Sequence, residues 1–520
     1  MNSTGVRLVD VLGALSFASD LAFGLEFEDG IRSCYIAARL AQELGADPST
    51  RLSTYYASLL KDAGCTCWTS ELAEFWGCDE ITARRELLVF GNMRSAAFRM
   101  RWMGKNVGSG LSLPARLGRM ADVALNSDEF VREGFRSSCE VSSRIAERMG
   151  MPSAVQEALL HIFEQWDGRG FPDGLPGERI PLISRIILAG FMLGPVHRAS
   201  GRAAASKVAR EGRGTTFDPR VADAFSRLAS SDTFWAELED PDLWARLRAM
   251  EPGAQADLSE HELDIVAEAF ADYIDLKANH LAAHSRRVAS LAASVAIQIG
   301  WTPEMTRQVR LGGLLHDLGL VTVPSFTLLK PESELSVAER ECVRLHPYQG
   351  GRILANLPGF EPVVEIVRAH HERYDGSGSP LGLRANQIPP GAQVVAVADR
   401  YDDLTHDVPG RRSRGRAAAL ELLRREAGSG FAPDVVAGLE RALDGLPAPA
   451  NQVSLPGELT EREAEVLRLA SRGLNRRDIG DRLGISEHTV RHHLSHIYDK
   501  IGVTTRVGAT LWALGHDLFP

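Results

Sequence analysis

Along most of the chain apolar residues recur at three- and four-residue spacing, as in 286–299, 363–372 and 415–425, and alternating runs are few. That period belongs to amphipathic helices with one face turned to a core, so the pattern predicts an all-α protein. The stretch 447–457, PAPANQVSLPG, has two prolines close together and a third near its end, and cannot continue a helix; it predicts a linker. Residues 458–520 then form a small domain, with helical periodicity broken at Gly473, Gly484 and Gly502. The longest nearly uninterrupted apolar stretch, 186–196, falls short of the roughly 18–20 residues that span a bilayer, and no membrane span is expected.

The chain repeats itself. EQWDGRGFPDGLPGERIP (164–181) aligns without a gap on ERYDGSGSPLGLRANQIP (372–389), and nearby offsets pair LLKDAG (59–64) with LLHDLG (314–319) and FDPRVADAF (217–225) with FAPDVVAGL (431–439). Two copies of one helical domain are therefore expected, 1–230 and 261–446, with a helical connector over 231–260. A change of offset leaves about 47 extra residues between Asp62 and Ser138 of the first copy. A length of 520 residues agrees with about three domains, since one core does not grow that large.

Charge narrows the partners. The chain sums to −10, so any nucleic-acid contact needs a local basic surface. Residues 468–506 supply one, with eight Lys and Arg against four Asp and Glu. The six cysteines are sparse, and Cys65-Thr66-Cys67 lacks the spacing of a zinc or redox pair, so reduced structural thiols are expected. The N-terminus has neither the basic start nor the apolar core of a signal peptide, and a cytoplasmic protein is expected.

Histidine is uneven: 1–260 hold two, whereas 261–406 hold eight. His284, His316-Asp317, His346, His370-His371 and Asp399 form a set of imidazoles and carboxylates spread over several helices. Such donors suit iron, manganese, zinc or cobalt, and a carboxylate beside an imidazole can bridge two ions. Two metals close together can clamp the attacking and leaving oxygens of a phosphoryl displacement. His261 and His406 match no part of this pattern and are read as ordinary histidines.

Over about 260–445 these residues resemble the HD phosphohydrolase superfamily, and its HD-GYP branch, through HSRRVA (284–289), LLHDLG (314–319), the stretch from His346 to Leu354, HHERYDGSGSP (370–380) and VADRYDDLT (397–405). The resemblance implies a metal-dependent phosphodiesterase with two divalent ions, iron or manganese, opening cyclic di-GMP or a related nucleotide. It implies His284, His316, Asp317 and Asp399 at the first metal, with Asp317 bridging, and His346, His370 and His371 at the second. His316 and Asp317 would be catalytic, and Asp375, Gly376, Gly378 and Pro380 would line the substrate. His280 stands where members with a third metal carry a glutamate and is a further candidate ligand. Two positions depart from the family: Leu320 replaces the lysine of HD-x-x-K, and Ser379 replaces the tyrosine of GYP. A rival reading follows, a sensor that binds metal or nucleotide without turnover.

In the first copy Lys61, Ser138, Ile162-Phe163 and Phe191 stand at ligand positions, and only Asp62 survives. That copy is expected to hold no metal, with Asp62 a surface or helix-capping carboxylate.

Residues 459–517 resemble the LuxR-type DNA-binding domain through LTEREAEVLRLASRGL, DRLGIS and HTVRHHLSHIYDKIGV. The resemblance implies a four-helix domain whose third helix enters the major groove. Arg491, His492 and Ser495 would face base edges, and Thr489, His493 and Lys500 phosphates or structure, with Arg491 suited to guanine. One small domain makes few phosphate contacts, so a homodimer on two half-sites is expected. The whole reads as a DNA-binding regulator carrying a phosphodiesterase or sensor domain.

Overall fold

The computed structural model describes residues 3–90, 95–253, 257–445, 455–516 and 518. Most of the expected linker, 447–454, therefore lies outside the described residues. The chain divides into two compact units, Met1–Glu262 and Leu263–Pro520. Both are helical, as the periodicity predicts, with one exception. Ser3–Arg7 pairs antiparallel with Asp257–Ser259 in a two-stranded ribbon too short to show in the apolar pattern.

Internal repetition is visible element by element. In the first unit Pro48–Leu60 follows Asp29–Glu43; in the second Pro303–Leu315 follows His284–Gln298. Asp47 and Thr302 cap the two Pro-initiated helices with their side chains, satisfying amide groups that a helix start leaves unpaired. The residues before the other two helices, Glu28 (φ 80°) and Ala283 (φ 61°), share the left-handed conformation. Each copy also carries the same loop. Glu164 accepts from the amides of Asp173, Gly174 and Leu175, and Glu372 from those of Leu381, Gly382 and Leu383. The Phe171–Pro172 and Ser379–Pro380 peptides in these loops are both cis.

The stretch 231–260 is more than a connector. Its helices Asp232–Leu238 and Leu243–Ala249 bury Trp235, Leu238, Leu243 and Leu247 within the first unit. Tyr55 donates to the Leu247 carbonyl at 2.8 Å, and Arg248 donates to Asp10 at 3.0 Å. Within the same unit the helix Leu182–Glu211 is long and apolar enough to cross a membrane, but 61% of its most apolar window is buried in the protein. All six cysteines are free thiols, five of them buried.

In the second unit the helices His284–Gln298, Pro390–Thr405 and Pro433–Gly445 bury Val288, Val295, Val394, Val397, Val435 and Leu439 in one core. The C-terminal helices close a separate core around Leu467, Ile479, Val490, Ile497 and Ala513.

Candidate metal centre and nucleic-acid interface

His284 opens its helix, His316 and Asp317 follow the end of Pro303–Leu315, and His346 opens His346–Leu354. His370 and His371 follow Glu361–Ala369, and Asp399 lies within Pro390–Thr405. Five helices thus meet at their ends or inner faces, and all seven sequence-predicted residues converge. Ligand atoms of His284, His316 and Asp399 lie within 4.8 Å of one another, as do those of His346, His370 and His371 and those of His316, Asp317 and His370.

Asp317 stands between two histidine pairs. Its Oδ2 lies 3.5 Å from Nε2 of both His284 and His316. Its Oδ1 lies 3.2 Å from Nε2 of His346 and 4.0 Å from that of His370. Asp399 closes the first group at 3.4 Å from His284 Nε2, and its other oxygen reaches to 4.0 Å of His371 Nδ1.

Backbone geometry decides which ring nitrogen is available. His316, His346 and His370 donate through Nδ1 to the carbonyls of Gly313, Val343 and Val367 at 2.7–2.8 Å. A carbonyl only accepts, so each neutral ring presents a bare lone pair at Nε2. Those of His346 and His370 face each other at 3.1 Å, and Nε2 of His284 and His316 at 3.3 Å. The converging lone pairs of His346 and His370 repel unless a cation stands between them, so the donor set fits divalent metals.

Asp402, which the sequence reading passed over, completes the support. It accepts from His284 Nδ1 at 2.8 Å and from both ends of the Arg287 fork at 2.7 and 2.9 Å. His406 Nδ1 lies 3.2 Å from the same carboxylate, so that histidine is not the bystander its isolation suggested. The available signal was the acidic pair after Asp399 in VADRYDDLT, which puts Asp402 nearly one helical turn on.

Electrostatics follow from this packing. Burial opposes ionisation of Asp317, yet the imidazoles of His316, His346 and His284 hold its carboxyl well below the usual range. Burial likewise disfavours a charged His284, but its bonds to Asp399 and Asp402 carry it well above the ordinary imidazole value. Burial and neighbouring imidazoles push His370 well down, and burial beside His284 pushes His280 down to about 4. His280 is close enough to interact with both His284 and Asp317.

Other expected residues serve the loop. Asp375 accepts from the amide and hydroxyl of Ser377, and a Cβ at Gly378 would lie 2.2 Å from the Arg373 amide nitrogen. Gly376, at φ +81°, packs under the Arg384 side chain. Leu320 is 6% exposed and belongs to the core.

In the first copy one expectation is corrected. Asp62 is neither exposed nor a cap: it is 5% exposed and ion-paired to Lys61, whose ammonium stands 5.6 Å from the Phe191 ring centre. Burial discourages charge on Lys61, but Asp62 and Asp20 hold its pKa above the ordinary value. His161, Glu164 and Asp173 also approach one another, yet Glu164 is committed to three loop amides.

In the C-terminal domain Thr460 and Glu463 form the expected capping box, and Ser486 caps Glu487–Ile501. Arg491, His492 and Ser495 are exposed on that helix. Arg491 bonds His488 at 2.9 Å. Thr489 and His493 are half-buried, the Thr489 hydroxyl meeting that of Ser486 at 2.8 Å. Lys500 donates to Glu463 at 2.7 Å and to the Glu458 carbonyl.

Comparison with known families agrees with this anatomy. The HD domain family matches 94–221 and 268–435, more than half of the chain, and the chain belongs to it. Residues 457–513 match the luxR family of bacterial regulatory proteins, so an HD-family protein here carries a luxR-type DNA-binding domain. A curated relative, 3'3'-cGAMP-specific phosphodiesterase 3 of Vibrio cholerae, is 28% identical over 449 residues, spanning 86% of this chain and 96% of that protein. The cyclic di-GMP phosphodiesterase of Thermotoga maritima is 32% identical over 168 residues, 32% of this chain and 45% of its own length. A crystal structure of the Vibrio cholerae cyclic GMP-AMP specific phosphodiesterase V-cGAP3 superposes with a TM-score of 0.59 at 25% identity, covering 86% of this chain and 99% of that one. Likeness of that extent takes in the first copy as well as the second.

Proposed function

We propose that this chain is a transcriptional regulator whose second HD copy hydrolyses, or in a second reading senses, a cyclic dinucleotide. The carrying observation is Asp317, with one oxygen toward His284 and His316 and the other toward His346 and His370. In this reading His284, His316, Asp317 and Asp399 hold one divalent ion, and His346, His370 and His371 with Asp317 hold the other, iron or manganese; His280 offers a further ligand. Such ions, when bound, polarise a phosphodiester and a water for in-line displacement.

The chain's own residues supply the rest. Asp317 and His316 are buried and would hold ions where the dielectric is low; Asp402 orients His284 by accepting a hydrogen bond from its Nδ1–H. The Glu372 carboxylate ties its loop back on itself by accepting from the amides of Leu381, Gly382 and Leu383, and Asp375, Gly376, Gly378 and Pro380 of that loop would line the substrate. Names of the relatives favour 3'3'-cGAMP and cyclic di-GMP as substrates to test. At the C-terminus Arg491, His492 and Ser495 read bases, with Arg491 toward guanine, in a homodimer on two half-sites.

The sensor reading draws on Leu320 and Ser379, which remove a cation and a hydroxyl-bearing ring from the family pattern. Metal content of the purified full chain, followed by incubation with both dinucleotides for wild type and Asp317→Ala, separates the two. About two metals per chain with Asp317-dependent linear product establishes the enzyme. Metal and nucleotide binding without product establishes the sensor, and a chain that takes up no metal overturns both.

A further inference from the structure

The DNA-binding helices and the second HD copy belong to one compact unit, and they touch beside the metal centre. The helix Glu461–Ser471 is closed by Arg472, and the chain then turns at Gly473, which has φ +87°. A Cβ at Gly473 would lie 2.9 Å from the Cβ of Asn279, so the two segments are in direct contact. Asn279 opens the short turn Asn279–Leu281, and the next residue, His280, interacts with His284 and Asp317 of the metal centre. That packing brings Arg472 to the edge of the site on the side of His284.

The surroundings of Arg472 are cationic. Packing around its guanidinium, then the charges of Arg287 in the HD copy and Arg482 in the helix Arg476–Leu483, hold its pKa below the ordinary arginine value, and Asp407 works against them. Arg287, three residues after His284, is spent on Asp402 and on the Ala282 carbonyl. Asp407 is likewise engaged, with Arg412 at 3.5 Å and the Ser413 amide at 2.7 Å. Among the described residues Arg472 and Arg482 make no side-chain hydrogen bond or ion pair, and both are exposed to an incoming ligand. Like charges gathered at the edge of a site repel one another, and an anion that settles among them relieves the repulsion. A guanidinium meets a phosphate with two parallel hydrogen bonds, so phosphate is the anion this geometry suits. Leu320 leaves the second copy without the lysine that the family carries three residues after Asp317, and Arg472 brings a cation to the same centre from the other domain.

We propose that Arg472 binds a phosphate of the dinucleotide held in the second HD copy, so that the DNA-binding domain completes the nucleotide site. The proposal deepens the nucleotide reading above and rests on it.

The test is calorimetric titration of the metal-loaded full chain with cleavage-resistant phosphorothioate analogues of 3'3'-cGAMP and cyclic di-GMP. Arg472→Ala is expected to weaken binding about 10- to 100-fold, the loss of one charge-assisted bond, with metal content and circular dichroism unchanged. Arg472→Gln, which keeps the stem and its packing, should lose as much, and Arg472→Lys should recover part of the affinity. With one ionic contact fewer, binding by Arg472→Ala should also weaken less steeply as salt is raised, a change that a purely structural role would not produce. Arg477→Ala, at an exposed arginine of the same helix as Arg482, should bind as wild type does. Wild-type affinity in both Arg472→Ala and Arg472→Gln overturns the proposal and leaves the nucleotide reading standing. A wild type that takes up metal and binds neither analogue overturns both. Variants that bind the analogues normally but lose affinity for duplex DNA in the absence of nucleotide would give the guanidinium to the DNA backbone, and the proposal would fail.

Discussion

Asp402 illustrates what a single carboxylate does when three partners share it. Burial alone would keep it protonated, but bonds from His284, His406 and Arg287 hold its pKa well below the usual carboxylate range. Its charge in turn holds His284 with Nε2 toward the other ligands. Replacing it (Asp402→Ala) is expected to lower metal affinity about 10- to 100-fold with the ligands untouched, read by titration calorimetry. Unchanged affinity would remove Asp402 from the centre. The raised pKa of His284 adds a second expectation. Without metal its ring keeps its second proton to a higher pH than an ordinary imidazole and must lose it to bind, so uptake releases protons, measurable as a buffer-dependent heat. Affinity should fall as pH is lowered, because the proton then competes better with the ion.

At the level of elements, the two copies show one scaffold used in two ways. In the second copy cations are expected from solution; in the first, Lys61 brings its own to the surviving Asp62. Lys61→Met leaves Asp62 and Asp20 buried without that partner and should destabilise the first unit by about 3–5 kcal/mol in thermal or denaturant unfolding. A loss below about 1 kcal/mol would mean the pair contributes little. In the C-terminal domain the capping box sets a pH dependence. Burial opposes the Glu463 charge, but bonds from Lys500 and Thr460 bring its pKa down to about 2 from an ordinary 4.5. With the folded value depressed, the stabilisation is full above 4.5 and is lost as pH falls through about 2. Glu463→Gln should cost about 1–2 kcal/mol at pH 7 and flatten that acid limb.

For the whole molecule the question is how an HD site and a DNA-binding domain communicate. Within the second unit Gly473, at φ +87°, ends its helix beside Asn279, and a Cβ there would lie 2.6 Å from the Asn279 amide nitrogen. Asn279 precedes His280 and the first metal-site histidine, so a change at the site has a short path to the DNA-binding domain. A cyclic dinucleotide is therefore expected to shift operator affinity of wild type, and Gly473→Ala to abolish the shift, in fluorescence anisotropy at fixed salt. Equal operator affinity with and without saturating dinucleotide would refute the coupling.

Much of this was legible in the residues themselves. Helical period, the repeat and the capping box at Thr460 and Glu463 follow from local pattern and spacing, because helix faces and caps are decided by near neighbours; the seven converging side chains of the second copy were legible through the resemblance of their motifs to a known family. Long-range packing decided the remainder. Only the fold shows that Asp317 turns one oxygen toward His284 and His316 and the other toward His346 and His370, that Asp402 orients His284 across 118 residues, and that a buried Lys61 is ion-paired to the surviving Asp62. Strand pairing of 3–7 with 257–259 and the docking of 231–260 are likewise contacts between distant segments. Periodicity records which face of a helix is buried; it does not record against what.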